Sequence, residues 1–201
     1  VLDGCRYDAM EAVVEEFDYL ADADRETFHS KGSHSSEWYE NNFGNGTAAT
    51  ETDRTVLVTG NPFAQRLDPN DFGHIETLWR SAWNPQTRVI EPRPMTEAAI
   101  RLGRTRAPDR MIVHYMQPHY PFVTNLEIGR GMNPKNGLES TADPTVWQEI
   151  LVGKSDKREV LEAYLDNLRY ILSEVELLAE NIDAAPMVIT ADHGNEYGDE
   201  Y

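Results

Sequence analysis

At 201 residues and 40% apolar side chains the chain is long enough to bury a real core, and at a mean hydropathy of −0.58 it holds no apolar run that crosses a bilayer. Its 35 Asp and Glu outweigh 18 Lys and Arg to a formal net charge of −17. That charge argues against nucleic acid or an anionic membrane as partner, because both repel such a surface. In chain order, Val1-Leu2-Asp3 reads as the tail of a strand. Tyr7 to about Leu20 follows as a helix, with Met10, Val13, Val14, Phe17 and Leu20 on one apolar face. Thr27 to Ser30 reads as a short strand, Gly32 to Ser35 as a polar turn, and Ser36-Glu37-Trp38 as the start of a helix to about Phe43. Thr55 to Thr59 is a buried strand that ends in the turn Gly60-Asn61-Pro62. Between Arg66 and Gln86 the signals are mixed and place no element. Arg88-Val89-Ile90 reads as a strand, Met95 to Leu102 as a helix and Arg110 to Met116 as a strand running into Gln117-Pro118-His119-Tyr120-Pro121-Phe122. Residues 124 to 144, with three glycines and two prolines, read as a long loop. Asp156 to Ile182 carries a helical stripe from Val160 to Leu178. Last, Pro186 to Ala191 reads as a buried strand delivering Asp192-His193-Gly194 at its tip.

Only Lys31, Lys135, Lys154 and Lys157 are lysines, and the acidic, arginine-keeping composition resembles that of proteins from salt-accumulating halophiles, where screening removes self-repulsion. A lone cysteine, Cys5, forms no internal disulfide and points to a reducing, cytoplasmic setting. The chain has no initiator Met or signal peptide, and it stops soon after Asp192-His193-Gly194. It reads as one α/β domain over residues 1–201, cut from a longer protein at both ends.

Strands alternating with helices predict a mostly parallel central sheet with helices on both faces. In such sheets the binding crevice lies off the carboxyl ends of the strands. Asp3, the Ser33–Ser35 turn, His119 and Asp192-His193 each follow a predicted strand, so parallel pairing gathers all of them along one rim. A carboxylate beside an imidazole at a strand tip can turn both groups to one cation, and Gly194 leaves room for the turn. His114, in mid-strand, reads as a core histidine within reach of the rim. Arg6 and Asp8 read as a local pair, and Glu196 and Asp199-Glu200 as acidic surface, with a partner to the site's ligands as the alternative for Glu196.

Three stretches, Val1-Leu2-Asp3-Gly4-Cys5-Arg6-Tyr7-Asp8, Pro118-His119-Tyr120-Pro121-Phe122 and Val188-Ile189-Thr190-Ala191-Asp192-His193-Gly194, appear in the order seen in the alkaline phosphatase superfamily. The chain resembles its sulfatase-like branch, which includes arylsulfatases and phosphoglycerol transferases. That resemblance implies a metal-dependent hydrolase or transferase acting on small-molecule or glycan phosphate or sulfate esters. It implies Asp3, Asp192 and His193 as metal ligands, and His119 as a contact to the transferred group or to a second metal. It also places a nucleophile after the second strand at a helix start, where Ser35 stands and would itself touch the metal. Ser36 remains an alternative in register, and a capping role an alternative for Ser35. The Pro and Arg that direct formylglycine formation in sulfatases are missing after Ser35, which favours phosphorus over sulfur. Oxygen and nitrogen donors without a thiolate set suit Zn, Mn, Mg or Ca. A catalytically silent metal-binding or interaction domain on the same scaffold is the alternative, because the family's later ligands have no counterpart in this chain.

Overall fold

The computed structural model describes residues 1–44, 52–128, 145–184, 186–195 and 197. Along the chain come β1 (Leu2–Asp3), α1 (Tyr7–Val13), α2 (Ser35–Phe43), β2 (Thr55–Thr59), β3 (His74–Thr77), β4 (Trp83–Asn84), β5 (Val89–Ile90), α3 (Pro92–Arg106), β6 (Arg110–Pro118), α4 (Val146–Leu151) and α5 (Lys157–Asn181). Strands β1, β6, β2 and β3 lie in that order with every pairing parallel, while β4 and β5 form a separate antiparallel pair.

Alternation along β2 assigns the two faces of the sheet. Val56 and Val58 enter a core with Ala9 and Val13 of α1, Met95 and Ala99 of α3, and Leu168 and Ile171 of α5. Leu57 between them enters the opposite core with Tyr39 of α2, Ala64, Leu67 and Phe72. Helices therefore cover both faces, and the fold is α/β as its sequence pattern predicts. The stripe on α5 is buried where expected, at Val160, Tyr164, Leu168, Ile171, Leu172, Val175 and Leu178. Asp156 caps this helix, accepting from the backbone N–H groups of Arg158 and Glu159. Each fully buried aliphatic side chain in the stripe is worth about 1.5–3 kcal/mol, so α5 anchors the α1/α3 side. No helix among the described residues is long and apolar enough to cross a membrane.

Three expectations need correction. Helix α1 stops at Val13, and the chain continues in two tight 3-10 turns, Val14–Glu16 and Asp18–Leu20. β-Branched Val13 and Val14 favour helix weakly, and the acidic residues that follow oppose the dipole at a helix C-terminus that carries no basic residue. Thr27 to Ser30 pairs with no strand among the described residues, and Phe28 is 72% exposed. There the Ser30 hydroxyl donates to the Asp192 carbonyl, and the chain crosses the surface. Pro186 to Ala191 is extended but not buried, with Val188 75% exposed. It lies outside β1, which is only two residues long, and is joined to it by Leu2 N–H to Thr190 O at 2.8 Å and by one parallel bridge, Leu2 to Ala191. The segment without an assignment, Arg66 to Gln86, contains β3 and β4. The predicted loop at 124–144 lies outside the described residues from 129 onward, as do Glu196, Asp199 and Glu200.

Candidate metal centre

Asp3 ends β1, and Gly4 turns the chain with φ +64°, a conformation that L side chains resist. That turn aims the Gly4 N–H at Asp192 Oδ1, 2.9 Å away. A second backbone donor, His193 N–H, reaches the same oxygen at 2.8 Å. Parallel pairing of β1 with β6, and the bridge from Leu2 to Ala191, thus bring the beginning and the end of the chain to one rim. Ser35 opens α2 and delivers its hydroxyl from the other side. Ser35 Oγ–H donates to Asp192 Oδ2 at 2.7 Å, lies 3.3 Å from Asp3 Oδ2 and stands 3.4 Å from His193 Nε2. His193 Nε2 is 3.5 Å from Asp3 Oδ1 and 3.6 Å from Asp192 Oδ2. All four residues are buried, with Asp192 fully enclosed.

At the start of α2 it is Ser35, and not Ser36, whose hydroxyl reaches the carboxylates. His34 is the N-cap, its ring Nδ1 accepting from Glu37 N–H at 3.3 Å. That leaves the Ser35 hydroxyl free of capping, while Ser36 Oγ accepts from the guanidinium of Arg66.

Two buried carboxylates side by side demand compensation. Burial alone lowers the pKa of His193, but the hydrogen bond to Asp3 and the charges of Asp192 and Asp3 outweigh it and raise the imidazole to about 9. Burial likewise pushes Asp192 up, but contact with His114, the charge of His193 and the Gly4 N–H hold it well below the usual carboxylate range.

The residues fit a divalent cation. Asp3, Asp192 and His193 each offer a ligand atom within 4.8 Å of the others. His193 Nδ1–H donates to Gly194 O at 2.6 Å, so the neutral ring turns the Nε2 lone pair toward the carboxylates, as ligation requires.

His119 stands apart. Its backbone N–H donates to Asp3 O at 3.1 Å, yet its ring turns away, with Nδ1–H donating to Tyr120 O at 2.6 Å and the ring stacked on Tyr120 at 4.5 Å. The ring lines a neighbouring cavity of about 50 Å³ with Trp79, Trp83 and Arg88. Arg6 and Asp8 pair locally at 2.7 Å, and Arg6 NH1 also donates to Asn195 O.

Two contributors, Asn61 and Tyr39, escape sequence reasoning, while His114, read as a core histidine, is buried and also reaches the site. Asn61 Nδ2 donates to Asp3 Oδ2 at 2.9 Å. Its position just after β2 is the strand-end signal that marks Asp3. His114, fully buried on β6, places Nε2 3.4 Å from Asp192 Oδ2 and Nδ1 2.7 Å from Tyr39 OH. Tyr39 lies on the Ser35 side of α2, four residues on, where one helical turn aligns side chains. Comparison with protein-family models, with curated proteins and with solved structures finds no match for the chain.

Proposed function

We propose that the chain is a metal-dependent hydrolase or transferase of phosphate esters, with Ser35 as nucleophile and Asp3, Asp192, His193 and Ser35 around one divalent cation. The observation that carries this reading is the Ser35 hydroxyl, placed within 3.4 Å of both carboxylates and of His193 Nε2. A bound divalent ion supplies charge that holds a hydroxyl as alkoxide and offsets charge on the phosphoryl oxygens. Asp192 and Asp3 orient the Ser35 hydroxyl, and the first turn of α2 adds a positive dipole end worth about 0.3–1 kcal/mol. Ser35 Oγ forms a bond to phosphorus as the ester P–O bond breaks. The proton released from Ser35 passes to solvent, the leaving alkoxide takes a proton from water, and water or an acceptor alcohol then attacks phosphorus, breaking the Ser35 O–P bond and returning a proton to Ser35 Oγ. His119 faces the neighbouring cavity, on the side where the organic part of the ester is held. Its Nδ1 is committed to Tyr120, so Nε2 is the atom available to substrate. Sulfate esters are the less favoured substrates, because Ser36-Glu37-Trp38 replaces the formylglycine signal. Cys5 is inert in this scheme, its thiol pushed up to about 12 chiefly by burial.

The test combines metal analysis of the purified protein with turnover of p-nitrophenyl phosphate, its diester and p-nitrophenyl sulfate in high salt. Metal-dependent phosphate release that vanishes in Ser35→Ala supports the enzyme. An inert wild type that still binds metal replaces it with a silent metal-binding domain.

A further inference from the structure

His114 is fully buried, and its Nε2 has no hydrogen bond among the described residues, although Asp192 Oδ2 faces it at 3.4 Å. A buried ring nitrogen in that state is costly unless it serves the group it faces. Its other nitrogen belongs to a chain of contacts whose protons can be counted. Thr59 Oγ1 accepts from Asn61 N–H at 3.0 Å and lies 2.9 Å from Tyr39 OH, which lies 2.7 Å from His114 Nδ1.

Only one direction of donation gives the Thr59 hydroxyl hydrogen an acceptor. If Thr59 donates to Tyr39 and Tyr39 donates to His114 Nδ1, then Nε2 carries the ring proton and directs it at the carboxylate. In the reverse direction Thr59 Oγ1 accepts twice, and its own hydrogen has no acceptor among the described residues in a side chain with no exposure. A neutral ring in that arrangement would also turn an Nε2 lone pair toward the negative Asp192 Oδ2. A doubly protonated ring still leaves Thr59 unsatisfied.

We infer that His114 is a positioning residue: held by Thr59 and Tyr39 as the Nε2–H tautomer, it orients Asp192 Oδ2 toward the cluster and is not itself a metal ligand. The turn after β2 thereby sets both carboxylates. Asn61 holds Asp3 directly, while the Asn61 backbone begins the Thr59–Tyr39–His114 chain that ends on Asp192. Because Tyr39 and Ser35 share α2, one helix presents the nucleophile and fixes the carboxylate that accepts its hydrogen bond.

The inference rests on the metal-centre reading for its binding test but not for its tautomer test. Long-range ¹H–¹⁵N spectra of the metal-free protein should show His114 with Nε2 protonated and Nδ1 as an acceptor, and a protonated Nδ1 overturns the inference. Titration with Mn²⁺ should show affinity reduced about 10–100-fold in both Tyr39→Phe and His114→Leu. His114→Gln places an amide donor near the Nε2 position and should keep most of the wild-type affinity. A packing role predicts that Leu serves at least as well as Gln, and that ranking also overturns the inference. If His114→Leu does not fold, Tyr39→Phe, which loses only a hydroxyl, decides the binding test. A wild type that takes up no Mn²⁺ removes the metal centre, and the tautomer then decides this inference alone.

Discussion

With no metal bound, His193 is the principal cation compensating Asp3 and Asp192, and that makes its titration measurable as stability. Its pKa rises from an ordinary 6.5 to about 9 in the folded protein. At about 1.36 kcal/mol per pKa unit, the difference is worth about 3 kcal/mol. The sign follows from the direction: a raised folded-state value stabilises fully below pH 6.5, and the contribution is lost as pH rises through 9. Urea unfolding in EDTA and high salt, for wild type and His193→Gln across pH 6 to 9.5, reads this directly. The Val1 amine, which burial lowers to about 6, titrates in both proteins and cancels in the difference. The stability advantage of wild type over His193→Gln should shrink by about 3 kcal/mol across the range. An advantage that stays level or grows with pH would refute the pairing of His193 with the two carboxylates. Ligation needs the neutral ring, so metal uptake should release a proton, with apparent affinity rising about tenfold per pH unit below 9.

Asp192→Ala removes the carboxylate with the most partners and should abolish Mn²⁺ uptake; unchanged occupancy by mass spectrometry contradicts its assignment as a ligand. Gly4→Ala forces a side chain into a positive-φ turn, with its Cβ 2.5 Å from Asn195 Nδ2, and should cost about 1–3 kcal/mol in chemical unfolding. Leu168→Ala in the core of α5 should cost about 2–5 kcal/mol, whereas Val188→Ala in the exposed segment should change stability by less than about 0.5 kcal/mol. Equal losses at the two positions would mean that Pro186 to Ala191 is a buried strand after all.

The site's charged residues were legible because a parallel sheet imposes a rule that needs no coordinates: strand ends on one side share a rim. Asp3 and Asp192-His193 satisfy it although the segment before Asp192 is not the buried strand its apolar residues predict. Val188 illustrates why, since apolar β-branched residues favour an extended backbone, and burial depends on which neighbour is present. The two-residue β1 pairs with only Thr190 and Ala191 of that segment. Strand β3 was hidden for the converse reason, its His74-Ile75-Glu76-Thr77 being half-buried throughout and carrying no apolar run. Asn61, Thr59, Tyr39 and His114 act through contacts between elements, and no spacing within one element discloses such pairs. The backbone of His119 lies at the rim where chain position predicts it, but its ring turns away, with Nδ1 held by Tyr120 O.

What the donors around the carboxylates have in common bears on the choice between an enzyme and a silent relative. Backbone N–H groups of Gly4 and His193, the Asn61 amide, the Ser35 hydroxyl and the ring of His193 all converge on Asp3 and Asp192, and His114 faces them as well. A fold needing only stability is served as well, or better, by apolar residues in such a place, since a buried ionic cluster seldom exceeds its desolvation cost. The Asp3, Asp192 and His193 cluster could hold a cation, and both readings of the chain rest on that cation site as a proposal. Ser35 separates the two readings. A silent domain uses the Ser35 hydroxyl only as a donor to buried Asp192, so Ser35→Ala costs it stability or metal affinity alone, whereas the proposed phosphoryl transfer loses its nucleophile.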